Sequence, residues 1–162
     1  MKNGSAIKNE KEWEMNRAQQ RLVNSLNTAR KLANRGKWGG VLARLIKLRN
    51  RVVYSCDIGI SAQIPDDCVF HHSALGVVIG NGVRMGRHCQ IYSNVCIGVK
   101  GNGKDDSDPE IGENVIIGTG AIVLGNIHIG NHSIIAAGSV VISDVPENVV
   151  VAGNPAVIKK KK

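Results

Sequence analysis

Two neighbouring histidines, His71 and His72, stand in the stretch FHHSALGVVIG (70–80), whose other residues are those of an apolar scaffold. An imidazole titrates close to neutrality, so such a pair can ligate a metal, take a proton as a general base, or simply be solvated. Which of these applies depends on the pattern in which the pair is set. His88, His128 and His132 are the other histidines, and four cysteines, Cys56, Cys68, Cys89 and Cys96, form no CxxC pair.

That pattern is a repeat of six. From Ile58 the chain returns to a large apolar residue at Ile64 and Phe70, then after a step of nine at Ile79, Met85, Ile91 and Ile97. After a step of fourteen it continues at Ile111, Ile117, Val123, Ile129, Ile135 and Val141. The second residue is glycine in seven of these thirteen units. The fourth is Ser61, Asp67, Ser73, Gly82, His88, Asn94, Asn114, Gly120, Asn126, His132, Gly138 and Asp144. Gly, Asn, Asp and His are the types that best tolerate a left-handed backbone, so a bend every six residues is expected there. The fifth is small or β-branched (Ala62, Cys68, Ala74, Val83, Cys89, Val95, Val115, Ala121), as an inward corner requires. Each unit reads as a short strand and a turn, and stacked units would bury one continuous Ile/Val column. Period six excludes a coiled coil, and sandwich strands would turn only every 8–12 residues.

The repeat sorts the histidines. His88 and His132 are fourth-position turn residues, and His128 is a surface residue at the sixth. His71 and His72 occupy the second and third positions, directly before the first break in the period. A titratable pair beside broken regularity is where function is expected in an otherwise consistent sequence.

Bulk composition agrees with one domain and an appendage. Five aromatics in 162 residues leave Ile, Val, Leu and Ala to build the core. Residues 1–51 carry thirteen Lys/Arg against three Glu, whereas 52–158 carry four basic and ten acidic residues, and Lys159–Lys162 close the chain. The reading is a basic helical segment (1–55), an acidic repeat domain (56–158) with an inserted loop at 98–110, and a basic tail (159–162). Residues 6–34 are expected to be helical, RGKWGG (35–40) to break the helix, and a second helix to run over about 38–50. These helices would cap the repeat or meet a neighbouring subunit. A basic amphipathic helix could also touch a membrane surface, which is the weaker reading. Nucleic-acid binding is not expected, because aromatics for base stacking are missing. The polar start and the absence of a 20-residue apolar run predict a cytoplasmic protein with reduced thiols.

The hexads resemble those of the hexapeptide-repeat acyltransferases. That resemblance implies a mainly β fold, a left-handed parallel β-helix with three hexads per coil, behind an N-terminal α-helical segment. Within that superfamily DIGISAQIPDDCVFHHSALGVVIG (57–80) is similar to the serine acetyltransferase segment D-I-H-P-A-A-x-I-G-x-G-x-x-x-D-H-A-T-G-V-V-I-G. IGTGAIVLGNIHIGNHSIIAAGSVV (117–141) resembles the family's acetyl-CoA-binding coils, and VAGNPAVI (151–158) its A-G-x-P-A-x-I ending. The resemblance implies His72 as general base and Asp57, fifteen residues earlier, as the carboxylate that orients it. Fifteen residues is five-sixths of an eighteen-residue coil, which allows the two to lie near one corner. It also implies Gly98, Thr119 and Ala137 along the acetyl-CoA cleft, no metal, and a homotrimer with its sites between subunits. A base is what acetyl transfer from a thioester needs, since a hydroxyl attacks well only as its proton leaves.

The loop GVKGNGKDDSDPE (98–110) has the length of the family's L-G-G-T-G-K-x-x-G-D-R-H-P-K-I, but the Arg-His of that motif falls on Ser107 and Asp108. The residue before the base is His71 instead of Asp, and HHSALG carries one extra residue. His71 and Asp108 are expected to border the acceptor, a small molecule with a hydroxyl. L-serine is the first expectation and a sugar hydroxyl the alternative. Two other classes stay open: a γ-type carbonic anhydrase using His88, His128 and His132, and a non-catalytic scaffold.

Overall fold

A computed structural model describes residues 17–101 and 107–162. The expected helical residues 6–16, and Lys104 of the loop, lie outside the described residues.

Two helices, α1 (Arg17–Ala33) and α2 (Gly36–Tyr54), precede fourteen short strands. These are β1 (Asp57–Ile58), β2 (Val69–Phe70), β3 (Val78–Ile79), β4 (Arg84–Met85), β5 (Gln90–Ile91), β6 (Cys96–Gly98) and β7 (Glu110–Ile111), followed by β8 (Ile116–Ile117), β9 (Ile122–Leu124), β10 (His128–Ile129), β11 (Ile134–Ile135), β12 (Val140–Val141), β13 (Val149–Gly153) and β14 (Ala156–Lys161). They form three sheets, ordered β1-β3-β6-β9-β12, β10-β7-β4 and β14-β13-β11-β8-β5-β2. Up to β13, consecutive strands pass from sheet to sheet in parallel pairings; β14 then turns back antiparallel on β13 within the same sheet. Partners such as Val78 and Cys96, or Ile122 and Val140, are eighteen residues apart. The spacing grows to twenty-one across the His pair (Asp57 with Val78) and to twenty-six across the loop (Cys96 with Ile122). Both breaks in the period are therefore absorbed in turns, and the ladders keep their register.

The core follows the hexad. All thirteen first-position residues are buried, and the eight small or β-branched fifth-position residues are fully so. Outward and inward side chains alternate along each two-residue strand, as a pleated backbone requires. Ser73, His88, Asn94, Asn114, Gly120, His132 and Gly138 at the fourth position have positive φ. Ser61, Asp67, Gly82, Asn126 and Asp144 turn without entering that region.

RGKWGG breaks the helical segment, but only at its start. Only Asn34 and Arg35 interrupt it, and Gly36–Gly40 open α2, which then runs on to Tyr54. The reason is packing: a Cβ on Gly39 would stand 2.2 Å from the Leu32 carbonyl oxygen, so glycine lets the two helices meet closely. α1 sends Leu22 and Val23 into the repeat's core, packs against the turn that carries the His pair, and donates from Asn27 to Asp66. Ser25 Oγ donates to Asn50 Oδ1 of α2 at 2.8 Å.

Candidate active site

His71–Ala74 forms a 3₁₀ turn between β2 and β3. His72 (φ 53, ψ 34), Ser73 (φ 56) and Ala74 (φ 61) are three successive left-handed residues without a glycine among them. Each costs roughly 1–2 kcal/mol relative to the right-handed region, and such strain collects at functional sites. The turn is tied down just past its C-terminal end. Gly76 N–H donates to the Ser55 carbonyl at 2.9 Å and Asn94 N–H to that of Leu75 at 2.8 Å. The extra residue seen in the sequence is what this tight turn accommodates.

The two histidines part company here. His71 is half-buried, stacks on Tyr92 with ring centroids 4.1 Å apart, and lies 3.2 Å from Gln90 Oε1 through Nε2. His72 is exposed, and its ring makes no hydrogen bond or ion pair with a described residue. His72 is the third residue of its hexad, as are Ser93, Thr119 and Ala137. Their turns all join the six-stranded sheet to the five-stranded one and stack in a column. Gly120 N–H reaches the Ser93 carbonyl and Gly138 N–H that of Thr119, each at 2.9 Å. Thr119 and Ala137 are exposed along that column.

Asp57 opens β1 of the five-stranded sheet. Its carboxylate is about one-third exposed, with Lys47 Nζ 2.8 Å from Oδ1 and an Arg51 nitrogen 3.4 Å from Oδ2. Within the protomer, then, its partners come from α2, and the contact with His72 that the sequence leads one to expect is not made. Lys47 and Arg51 are four residues apart, on one face of a helix. Nothing in the sequence indicates that this face turns towards Asp57.

An open groove of about 440 Å³ runs along the outer face of this sheet, lined by Lys47, Asp57, Asn81, Gly98, Asp108 and Leu124 among others. Asp57 also lines a second hollow of about 280 Å³ with Gly76 and Val78, which continues from the His turn. Asp108 Oδ2 accepts the Gly82 N–H at 2.7 Å, while the buried Oδ1 has no hydrogen-bond partner among the described residues. Two hexad glycines make room for that carboxylate. A Cβ on Gly80 would stand 2.1 Å from Oδ1 and one on Gly82 2.6 Å from Oδ2, while one on Gly98 would be in ordinary contact at 3.8 Å. Gly80→Ala is therefore expected to push Asp108 out of the groove and to cost about 1–3 kcal/mol. Urea unfolding, with a crystal structure of the variant, would check both.

Two thiols border the site. Burial, reinforced by the charge of Asp57, pushes Cys56 up to about 11, and burial raises Cys96 as well. Both thiols are thereby held in the protonated form at neutral pH. Among the described residues no three His, Cys, Asp or Glu side chains group to hold a metal, and His88 faces Asp67 instead. The structure thus gathers Asp57, Gly98 and Asp108 in one groove and sets His72, Thr119 and Ala137 on one column of turns.

Residues 108–143 match the bacterial transferase hexapeptide family (six repeats). The chain is 38% identical over 134 residues to serine acetyltransferase 2 of Arabidopsis thaliana, covering 83% of this chain and 41% of that protein. Serine acetyltransferase of Staphylococcus xylosus is 41% identical over 121 residues, covering 75% and 56%. Among solved structures, serine acetyltransferase in complex with coenzyme A from Brucella abortus strain S19 aligns with TM-score 0.81 at 34% identity, covering 86% and 55%. Neisseria gonorrhoeae serine acetyltransferase in complex with serine aligns with TM-score 0.77 at 34% identity over the same shares. The chain spans about half the length of these relatives.

Proposed function

We propose that this chain, a hexapeptide-repeat protein similar along its repeat to the serine acetyltransferases, is an acetyl-CoA-dependent O-acetyltransferase with L-serine as its first acceptor. The observation that carries the reading is the exposed, strained His72 at the head of the column bearing Thr119 and Ala137. The three ladders are then the faces of a left-handed parallel β-helix, and the likeness at TM-score 0.81 supports that. Residues 56–158 are taken as the transferase domain, 1–55 as its helical segment and 159–162 as a basic tail.

In the proposed mechanism His72 takes the acceptor's hydroxyl proton as the oxygen attacks the thioester carbonyl. The tetrahedral intermediate collapses, the C–S bond breaks, and the imidazolium returns the proton to the leaving thiolate. Asp57 is the orienting carboxylate, exchanging Lys47 and Arg51 for the imidazole when substrates bind, since catalytic hydrogen bonds often tighten only in the loaded enzyme. Gly98, Thr119 and Ala137 border acetyl-CoA, and His71 and Asp108 border the acceptor. In such an arrangement a homotrimer would place the column of one protomer against the groove of the next. Free cysteines at all four positions accord with a cytoplasmic location, and no helix among the described residues is long and apolar enough to cross a membrane.

One observation favours a second acceptor. The carboxylate of Asp108 lies where an acceptor carboxylate would need a cation, with one oxygen buried and unsatisfied. Like charges so placed repel, whereas a neutral sugar donates hydroxyls to that oxygen. The experiment is release of free thiol from acetyl-CoA with L-serine or a panel of sugars. Turnover on serine is the expected result. Turnover confined to a sugar would keep His72 as base and move the acceptor to polysaccharide chemistry, and failure to bind CoA would sink the reading.

A further inference from the structure

α2 is amphipathic the wrong way round for a helix in a self-contained domain. The residues it buries are Gly39, Ala43 and Asn50, all small or polar. Its large apolar side chains point outward. Trp38 is 88% exposed and Val52 76%, with Val41, Leu42, Leu45 and Leu48 between them also exposed. Steps of three and four residues, with Val41 and Leu42 side by side, put these six on one stripe about four turns long.

Charge decides what such a stripe fits. Residues 17–54 contain ten Lys/Arg and no Asp or Glu. Lys37, Arg44 and Arg51 each precede a stripe residue by one position, which sets them along one edge, and the first two have no ionic partner among the described residues. At the other edge Arg49 follows Leu48 and shares with Arg21, Asn24, Ser25 and Thr28 a shallow polar hollow of about 340 Å³ between the helices. Packing this stripe on its copy in a second chain would bring cations against cations, with no carboxylate on either helix to offset them. A bilayer surface rich in anionic lipid accepts both features. It takes the apolar residues to the depth of the acyl boundary and leaves the flanking cations among the headgroups, with Trp38 at the interface.

We propose that α2 is an in-plane membrane anchor, laid on an anionic lipid surface through Trp38, Val41, Leu42, Leu45, Leu48 and Val52. Lys47 and Arg51 on its other faces hold Asp57, so docking keeps the groove within about one helix diameter, 10–12 Å, of the bilayer.

The test is co-sedimentation of the full chain with vesicles of phosphatidylcholine alone or of equimolar phosphatidylcholine and phosphatidylglycerol, with sedimentation velocity run in parallel. The wild type is expected to bind the mixed vesicles, less so as salt is raised, and the neutral vesicles about tenfold or more weakly. Leu45→Glu/Leu48→Glu and Lys37→Glu/Arg44→Glu, all at exposed positions, are each expected to reduce that binding about tenfold or more with circular dichroism unchanged. Equal binding to both vesicle types, no binding at all, or variants that bind like the wild type would overturn the assignment. So would a stripe variant that only changes the oligomeric state, which would make the stripe a contact between copies.

Discussion

His72→Ala is expected to lower turnover by about 10²–10⁴-fold while CoA still binds. The range is that of a positioned general base, because the hydroxyl must otherwise lose its proton to water as it attacks. His72 is exposed and contributes nothing to the core, so the variant should unfold at the wild-type urea concentration. Removal of the side chain leaves the column of Thr119 and Ala137 intact, and for that reason binding is expected to survive. Single-turnover thiol release, with CoA affinity measured separately, distinguishes the two effects. Loss of binding together with turnover would show that His72 holds the substrate. Full turnover would remove it from the chemistry. His71→Ala serves as a comparison, since His71 is held by Tyr92 and Gln90 and should act on the acceptor's KM more than on kcat.

Phe70→Ala is expected to destabilise the protein by about 3–5 kcal/mol, visible as a lower urea midpoint. Phe70 is the only phenylalanine in the chain, has no exposed surface, and pairs with Ile91 across β2 and β5. Its ring fills the core immediately before the strained His turn. The interior is stacked Ile, Val and Ala, with few side chains long enough to fall into the space. The loss is a large share of a typical total stability of roughly 5–15 kcal/mol. Activity should fall further than the folded fraction accounts for, because three left-handed residues persist only where their surroundings hold them. Phe70→Leu, which keeps most of the volume, should recover much of both. A Phe70→Ala variant as stable as the wild type would mean that the turn does not depend on the core beneath it.

The fold was largely legible in the sequence because its core has a period. A buried residue every six positions, a small one four further on, and a turn former between them specify strand, corner and turn locally. The structure buries all thirteen of the repeating residues, from Ile58 to Val141. The His71–His72 pair drew attention for the same reason, since it stands where the period breaks, and the resemblance then pointed to His72 as the proposed base. His88 and His132, at regular positions, proved to be turn residues with positive φ.

What sequence could not supply is whatever depends on two distant segments meeting. Lys47 and Arg51 carry no sequence signal of a partner; only with α2 folded back onto β1 do they meet Asp57. The glycines at 80 and 82 read as turn formers, yet each also clears space for Asp108, more than twenty residues away across the inserted loop. Gly39 read as a breaker, but helix packing uses its missing side chain and keeps it helical. Periodicity is a local signal and survives in one dimension. Close approach, charge pairing and the facing of a helix depend on the relative placement of elements, and only the tertiary structure decides those.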